Sequence, residues 1–442
     1  MKGIGLDFGT TNSAIAIARA DGTLHLARFP EADRLTDTFR SILYFFHPQD
    51  PESDSRYAAA GPEAIGAYLS AEPRGRLIQS AKSFLASRSF KQTAICRSLY
   101  TLEDLIAIIA AELRSAAQDQ FGEIPSTVVA GRPVRFSGAR TEADDEFAIE
   151  RLQTALRQAG FEEIVFEFEP VAAAYRYEQQ LDHDELVLIA DFGGGTSDFS
   201  LLRLGPAFRT PTSGERTRGT RARGTREILG TDGVAIAGND FDSVLVRHLV
   251  APKLGFGTEY RSLGKLLPVP RWIYKEFERW HYLSFLKTRQ TMEMLESIKT
   301  EALEPEKIEQ LIHVIDEELG FQLYRAIERT KVELSARQSS TFVFKDWRVE
   351  ITEEVTRSQF EALISSYLME MTDCIDRLLG NCNAAPAEVD SVFMTGGSSF
   401  VPAVRLLFAE KFGADKLRGG GELTSVAEGL ALRALSLNKQ AL

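Results

Sequence analysis

Ile4-Gly5-Leu6-Asp7-Phe8-Gly9-Thr10-Thr11-Asn12-Ser13 opens the chain, and Leu188-Ile189-Ala190-Asp191-Phe192-Gly193-Gly194-Gly195-Thr196-Ser197-Asp198 repeats its plan in the middle. In both, an apolar run of strand character enters Asp-Phe-Gly, and small or hydroxyl residues follow. A carboxylate at that point can face a metal ion, and the turn after it can lend successive backbone N–H groups to phosphate. Glycine lets the backbone approach with no side chain in the way. Two copies in one chain predict two related halves closing on one nucleotide.

Either run alone is a weak signal, because glycine-rich turns commonly just close hairpins. The second run is stronger. A plain hairpin has no need of Asp191 and Asp198 around a Gly-Gly-Gly-Thr turn, where they crowd negative charge. A divalent cation relieves that repulsion. Mg2+ keeps most of its waters, so Asp7 and Asp191 are expected to hold it through coordinated water. Glu169, just before Pro170 and a helix start, is the candidate to position or deprotonate an attacking water. Its blander reading is charge complementarity at a helix N-terminus.

Working outward, Ile4 to Ala18 reads as a hairpin whose return strand, Ala14 to Ala18, is small and apolar throughout, as a strand buried on both faces would be. Strands are predicted at Arg40 to Phe46, Ser126 to Pro133, Ile164 to Phe168, Leu186 to Asp191, Phe199 to Leu204 and Ser391 to Thr395. Helical periodicity marks Leu102 to Phe121, Glu142 to Ala159 with Gly160 as its stop, Phe241 to Val250, Trp272 to Leu334 with breaks near Pro305 and Gly320, Phe360 to Leu379, and Ser425 to Leu437. Thr341 to Ile351 alternates like strands. Strand hairpins and helices alternate in both halves, so the class is α/β. Phe208 to Arg226, rich in Arg, Thr and Gly, reads as an exposed hairpin tip or loop whose arginines either grip an acidic partner or are simply solvated. Trp272, Phe277, Trp280 and Phe285 form a stripe that reads as core first and as a docking surface second.

A length of 442 residues predicts two domains or one duplicated architecture. The net charge of −12 argues against general nucleic-acid binding, which needs clustered Lys and Arg. No apolar stretch approaches the roughly 20 residues of a spanning helix, and no charged-then-apolar leader opens the chain. Neither nucleic acid nor membrane is expected as a partner. Cys96, Cys374 and Cys382 are few and odd in number, fitting a reduced cytoplasmic setting without a disulfide framework or a Cys/His metal site. The P-loop pattern, the kinase His-Arg-Asp loop and the Gly-x-Ser-x-Gly elbow are all absent.

Several motifs in order now resemble one family, the seventy-kilodalton heat-shock chaperones of the DnaK type. Ile4 to Ser13 resembles their first phosphate motif and Asp191 to Ser200 their second. Glu169-Pro170-Val171-Ala172-Ala173-Ala174-Tyr175 is similar to the connecting motif, Met394-Thr395-Gly396-Gly397-Ser398-Ser399-Phe400-Val401-Pro402 to the adenosine motif, and Val426 to Ala431 to the closing helix. Gly238-Asn239-Asp240-Phe241-Asp242 and the Glu328 to Ser335 helix fit too. The resemblance implies an actin-like ATPase fold, with a duplicated ribonuclease H-like core in two lobes around a nucleotide cleft holding ATP or ADP and Mg2+. Lobe I would span 1–183 with an outer subdomain at about 38–100, lobe II 184–417 with an enlarged helical outer subdomain at about 239–335, and 418–442 would return to lobe I. By matched position, Asp7, Glu169, Asp191, Thr196 and Asp198 are implied to be catalytic or metal-linked. Gly9, Thr10, Thr11, Asn12, Gly193, Gly194 and Gly195 are implied to hold phosphates. Gly238, Asn239, Glu328, Lys331, Ser335, Gly396, Gly397 and Ser398 are implied to hold the nucleoside.

Four departures qualify the implied function. In the family's run with a catalytic lysine, the matching stretch Gly61-Pro62-Glu63-Ala64-Ile65 puts Ile65 in the lysine's place, with Lys82 in the neighbouring Ser80-Ala81-Lys82-Ser83-Phe84-Leu85; weak or slow hydrolysis is expected. Val332 stands where the family often has an adenine-stacking Arg. The helical stretch Pro268 to Gly320 is longer than the family's outer subdomain needs. The chain stops where the interlobe linker and peptide-binding domain would start, which resembles the short, YegD-like members. The expected function is a nucleotide-dependent, chaperone-like switch with an unidentified protein partner or client. The alternatives on the same superfold are a sugar or metabolite kinase and an actin-like filament protein.

Overall fold

The computed structural model describes residues 1–31, 34–46, 59–71, 75–95, 98–209, 227–279, 286–420 and 423–440. Cys96, Trp280, Phe285 and the Arg-rich run 210–226 lie outside the described residues. The chain forms two compact units. One comprises Met1–Ala237, Glu370–Ser399 and Val404–Leu442; the other comprises Gly238–Met369 and Phe400–Ala403.

The first unit holds two sheets of the same topology. The first sheet has β1 (Lys2–Asp7), β2 (Asn12–Arg19), β3 (Leu24–Leu26), β4 (Thr127–Arg132) and β5 (Glu163–Phe168), in the order β5-β4-β1-β2-β3, with the two-residue strand Phe39–Arg40 also on β2. The second has β6 (Glu185–Phe192), β7 (Ser197–Leu204), β8 (Glu227–Val234), β9 (Ser391–Thr395) and β10 (Leu417–Arg418), in the order β8-β7-β6-β9-β10. In each, the opening strand runs antiparallel to the second and parallel to the fourth; the third is antiparallel to the second, and the fifth parallel to the fourth. This is the duplicated core of an actin-like ATPase. The expected lobe boundaries at 183/184 and 417/418 both fall inside this unit.

Burial explains the uniformly apolar β2. The interior of β1 and all of β2 from Ser13 to Ala18 is buried, with helix Ser425–Gln440 packed on β1 and β2 and helix Leu102–Phe121 also against β2. The first of these helices lies at backbone distance. A Cβ on Gly3 or Gly5 would run into the main chain of Leu435 or Ala431, and one on Gly429 would overlap the Ala172 carbonyl in helix Glu169–Glu178. Helix Ser425–Gln440 is thus wedged between β1 and helix Glu169–Glu178, which itself packs on β6 and β7. Leu430 and Ala434 share one apolar cluster with Ala172, Val187 and Ile189. Helix Leu102–Phe121 starts as its sequence predicts: Thr101 and Asp104 form a reciprocal capping box, and Gly122 at φ 74° ends it.

In the second unit, the stretch expected to be almost wholly helical contains helices Arg271–Phe277, Arg289–Glu301, Pro305–Asp316 and Gly320–Ala336. Pro268 belongs to no helix; it closes the strand Lys265–Pro268, paired with Glu259–Ser262. The hairpin Ser339–Lys345/Glu350–Thr356 has buried Ser340, Phe342 and Phe344 alternating with exposed neighbours, the period of a half-covered antiparallel pair. Of the aromatic stripe, Phe277 is fully buried whereas Trp272 is 46% exposed. Among the described residues, no helix is long and apolar enough to cross a membrane.

Candidate functional site

The two opening hairpins carry their acids to equivalent strand ends. Asp7 stands opposite Ala14, and Asp191 stands opposite Asp198. The duplication is therefore asymmetric, because the second half has an extra carboxylate where the first has a methyl group.

Both turns are tied down. The Gly193 N–H donates to the Thr196 carbonyl at 2.9 Å. The Gly9 N–H donates to Ser13 Oγ at 3.2 Å, and Ser41 Oγ donates to the Gly9 carbonyl at 2.8 Å. The Ser13 and Ser41 hydroxyls are buried and share a 2.9 Å bond. The tips of the two turns face each other. A Cβ at Gly194 would lie 2.6 Å from Thr11 Oγ1, and one at Gly195 would lie 3.4 Å from Thr10 Oγ1. At Gly194 a side chain would crowd the Thr11 hydroxyl; opposed small turns carrying the Thr10 and Thr11 hydroxyls form a cradle of a kind that fits phosphate oxygens.

Beside the cradle lies a buried cluster of charge. Lys82 Nζ donates to Glu169 Oε1 at 2.6 Å, both side chains being 8% exposed. Gly131 makes room for this acid, since a Cβ there would press within 3.1 Å of Glu169 Cγ. Asp198 accepts from Thr196 Oγ1 at 2.7 Å and from the Val134 N–H at 2.7 Å. Burial pushes the Asp198 carboxyl up to about 7, with Glu169 adding to the push; the bonds from Thr196 and Val134, and then Lys82, oppose it. Burial and Glu169 likewise raise Asp7 to about 7, with Lys82 opposing. Asp191 is driven well above the ordinary carboxylate range by burial, then by Glu169, Asp7 and Asp198. Burial works against the Lys82 ammonium, but Glu169, Asp7 and Asp198 outweigh it and raise its value. Four acids thus surround one cation.

That donor set fits Mg2+. It offers several carboxylates in mutual repulsion, and the cradle beside them supplies phosphate donors. Among the described residues, no group of three or more His, Cys, Asp or Glu side chains forms a ready protein cage. Asp7 and Asp191 would be the nearest acids to a cation held chiefly by water and phosphate.

The structure separates the two positions weighed for the lysine. Ile65 is buried in helix Pro62–Ser70, and the ammonium in the cluster belongs to Lys82. The signal in the sequence was slight, a lone lysine in Ser80 to Leu85 with Ala81, Phe84 and Leu85 nearby. Ser13, Ser41 and the Val134 amide were also missed, because their roles depend on tertiary pairing. Gly396 adopts φ 83°, and a Cβ there would overlap the Phe192 carbonyl. The turn is fixed by Ser399 Oγ donating to the Gly396 carbonyl at 2.6 Å, with Ser398 buried. Gly238, Asn239, Glu328, Lys331 and Ser335 belong to the second unit. There Lys331 Nζ binds Asp242 at 2.8 Å and the Gly238 carbonyl at 3.2 Å, and Ser335 Oγ donates to its own helix at the Lys331 carbonyl. Val332 is 60% exposed.

The family model described as "Hsp70 protein" matches residues 86–259 and 298–440. A chaperone protein DnaK of Thermus thermophilus is 25% identical over 460 residues, covering 98% of this chain and 60% of that protein. Those of Thermosipho africanus and Thermotoga maritima are each 26% identical, covering 98% of this chain and 59% of theirs. The chain spans about three fifths of the length of the curated relatives it matches.

Proposed function

From its membership of the Hsp70 family, to which this chain belongs, we propose that the protein binds ATP and ADP with Mg2+, hydrolyses ATP, and works as a nucleotide-dependent, chaperone-like switch. The observation that carries this is the Lys82–Glu169 pair set among Asp7, Asp191 and Asp198 beside two opposed glycine turns. Bound Mg2+ would neutralise phosphate charge and the repulsion among these acids. The amides and hydroxyls of Thr10, Thr11, Gly194 and Gly195 would grip phosphate oxygens. Lys82 Nζ, kept protonated by Glu169, would stabilise negative charge that grows as a terminal phosphate departs. Asp198, held near neutrality and oriented by Thr196 and Val134, is suited to take a proton from water at a carboxylate oxygen. Glu169 would order that water and hold Lys82. Gly396, Gly397 and Ser398, with Gly238, Asn239, Glu328, Lys331 and Ser335, are the nucleoside candidates. With Lys82 in the cluster, Ile65 gives no ground for slow turnover.

The partner in this reading is a protein client, unidentified, whose affinity differs between the nucleotide states; without such a difference the nucleotide could not act as a switch. The test is calorimetry with ATP and with ADP in Mg2+, followed by phosphate release from the parent, Lys82→Met and Asp198→Asn. Binding in the parent, with release lost in both variants, is expected. Failure of the parent to bind either nucleotide would overturn the reading.

A further inference from the structure

Lys82 has a long flexible stem, yet its ammonium is fixed 2.6 Å from Glu169. Its own backbone supplies only short local bonds, among them Ser83 N–H to the Ser80 carbonyl at 3.0 Å and Leu85 N–H to the Lys82 carbonyl at 3.2 Å. Lys82 lies in a four-residue 3-10 turn, Ala81–Phe84, entered through Ser80 at φ 55°, a buried non-glycine in the left-handed region. Short 3-10 turns have poor hydrogen-bond geometry, and a left-handed serine is a strained way in. Contacts from outside the turn add to these local bonds.

One buried side chain makes several. The Arg151 guanidinium, 7% exposed, projects from helix Glu142–Gln158. Its Nη1 donates to the carbonyls of Phe84 at 3.3 Å, Leu85 at 3.5 Å and Ser87 at 3.3 Å. Its Nη2 donates to the Phe90 carbonyl at 3.3 Å and to Glu103 Oε2 at 3.3 Å, and its Nε to Glu103 Oε1 at 2.5 Å. Glu103 sits in the first turn of helix Leu102–Phe121. Thus one cation collects the carbonyls that follow Lys82 and bolts them to two long helices.

A buried ion pair is a poor way to gain stability alone, since well-packed apolar residues often do as well or better. What a guanidinium supplies is a rigid fork of five N–H donors in a plane, which lysine lacks. We propose that Arg151, anchored by Glu103, is the positioning residue that holds the turn of Lys82 and so sets where its ammonium stands in the site. This rests on the reading of Lys82 as a phosphate-side residue; the first measurement below does not require nucleotide.

The test is acetylation of the nucleotide-free full chain by N-hydroxysuccinimidyl acetate, read lysine by lysine by mass spectrometry. In the parent, Lys82 is expected to react far more slowly than exposed Lys265 and Lys345. In Arg151→Lys the end of the turn and the stretch after it, Phe84 to Phe90, lose the guanidinium bonds to their carbonyls, and Lys82 labelling is expected to rise about tenfold or more, with Lys265 and Lys345 unchanged. Glu103→Gln keeps an acceptor for Nε and is expected to give a smaller rise in the same direction. Phosphate release should fall in kcat with KM for ATP little changed. If Arg151→Lys melts earlier but Lys82 stays protected, the residue is merely structural and the proposal is overturned. If Arg151→Lys does not fold, unchanged Lys82 labelling in Glu103→Gln overturns it equally. A parent that binds no nucleotide would sink the functional reading while leaving the labelling result standing.

Discussion

Lys82→Met is the most informative single change. Methionine keeps most of the stem's volume and removes the cation facing Glu169, Asp7, Asp191 and Asp198. Glu169 is left a buried carboxylate beside Asp7, Asp191 and Asp198 with its partner cation gone. A loss of about 3–5 kcal/mol, typical of breaking a buried pair, is therefore expected. Urea unfolding followed by circular dichroism, without nucleotide, reads this directly. Lys82→Met/Glu169→Gln should regain most of the loss, since it leaves no unpaired charge at either position. A loss under about 1 kcal/mol, the size expected of an exposed pair, would refute the argument that this pair is buried and electrostatically isolated.

The acids make a pH prediction. Asp198 holds its proton to about 7 when folded, against 3.8 ordinarily, so the folded chain binds a proton that the unfolded chain has shed. Stability from this group is full below its ordinary value, falls as pH rises to about 7, and is level above; the stability of Asp198→Asn relative to the parent should therefore be greater at pH 8 than at pH 5, and a constant gap would count against the shift. Because Asp7 and Asp198 both titrate near 7, binding of Mg2+ and ATP at pH 7 should release roughly half a proton from each, measurable by calorimetry in buffers of different ionisation enthalpy; proton uptake would contradict it. Ile65→Lys should lower the urea midpoint without raising phosphate release, since Ile65 is a buried position in helix Pro62–Ser70; a faster variant would restore Ile65 as the defect. Gly429→Ala should destabilise the chain more than a typical exposed helical Gly→Ala change would, because its methyl overlaps the Ala172 carbonyl; a neutral or stabilising effect would mean that helix Ser425–Gln440 is not held at backbone distance.

The hairpins, the helices and the twin Asp-Phe-Gly turns were legible because they are local. Hydrophobic period, caps and glycines lie within a few residues of what they determine, so Leu102–Phe121 was read to the residue. The equivalence of the two sheets was only hinted at, since the order β5-β4-β1-β2-β3 depends on strands far apart in sequence. Lys82 shows where spacing runs out: aligning a short run put Ile65 at the lysine's position and left the reach of Lys82 open, while the chain brings Lys82 to Glu169 across 87 positions. Arg151 gave no sign at all. In sequence it is one more charge on a helix that reads as half solvated, and only packing reveals that its head group is sealed in.

The backbone-tight seat of helix Ser425–Gln440 on β1 also has a consequence in time. In synthesis Lys2–Asp7 precedes the helix that covers its face by some four hundred residues. Until then the small, apolar face of β1 and β2 has no lid, and contacts of such long range form slowly. Chains stalled before residue 425 should be cut readily by protease within β1 and β2, whereas chains extended past residue 440 should resist; equal protection at both lengths would show that the first sheet closes without its helix. Synthesis of this protein thus carries a long interval in which β1 lacks its cover, and the making of helix Ser425–Gln440 ends it.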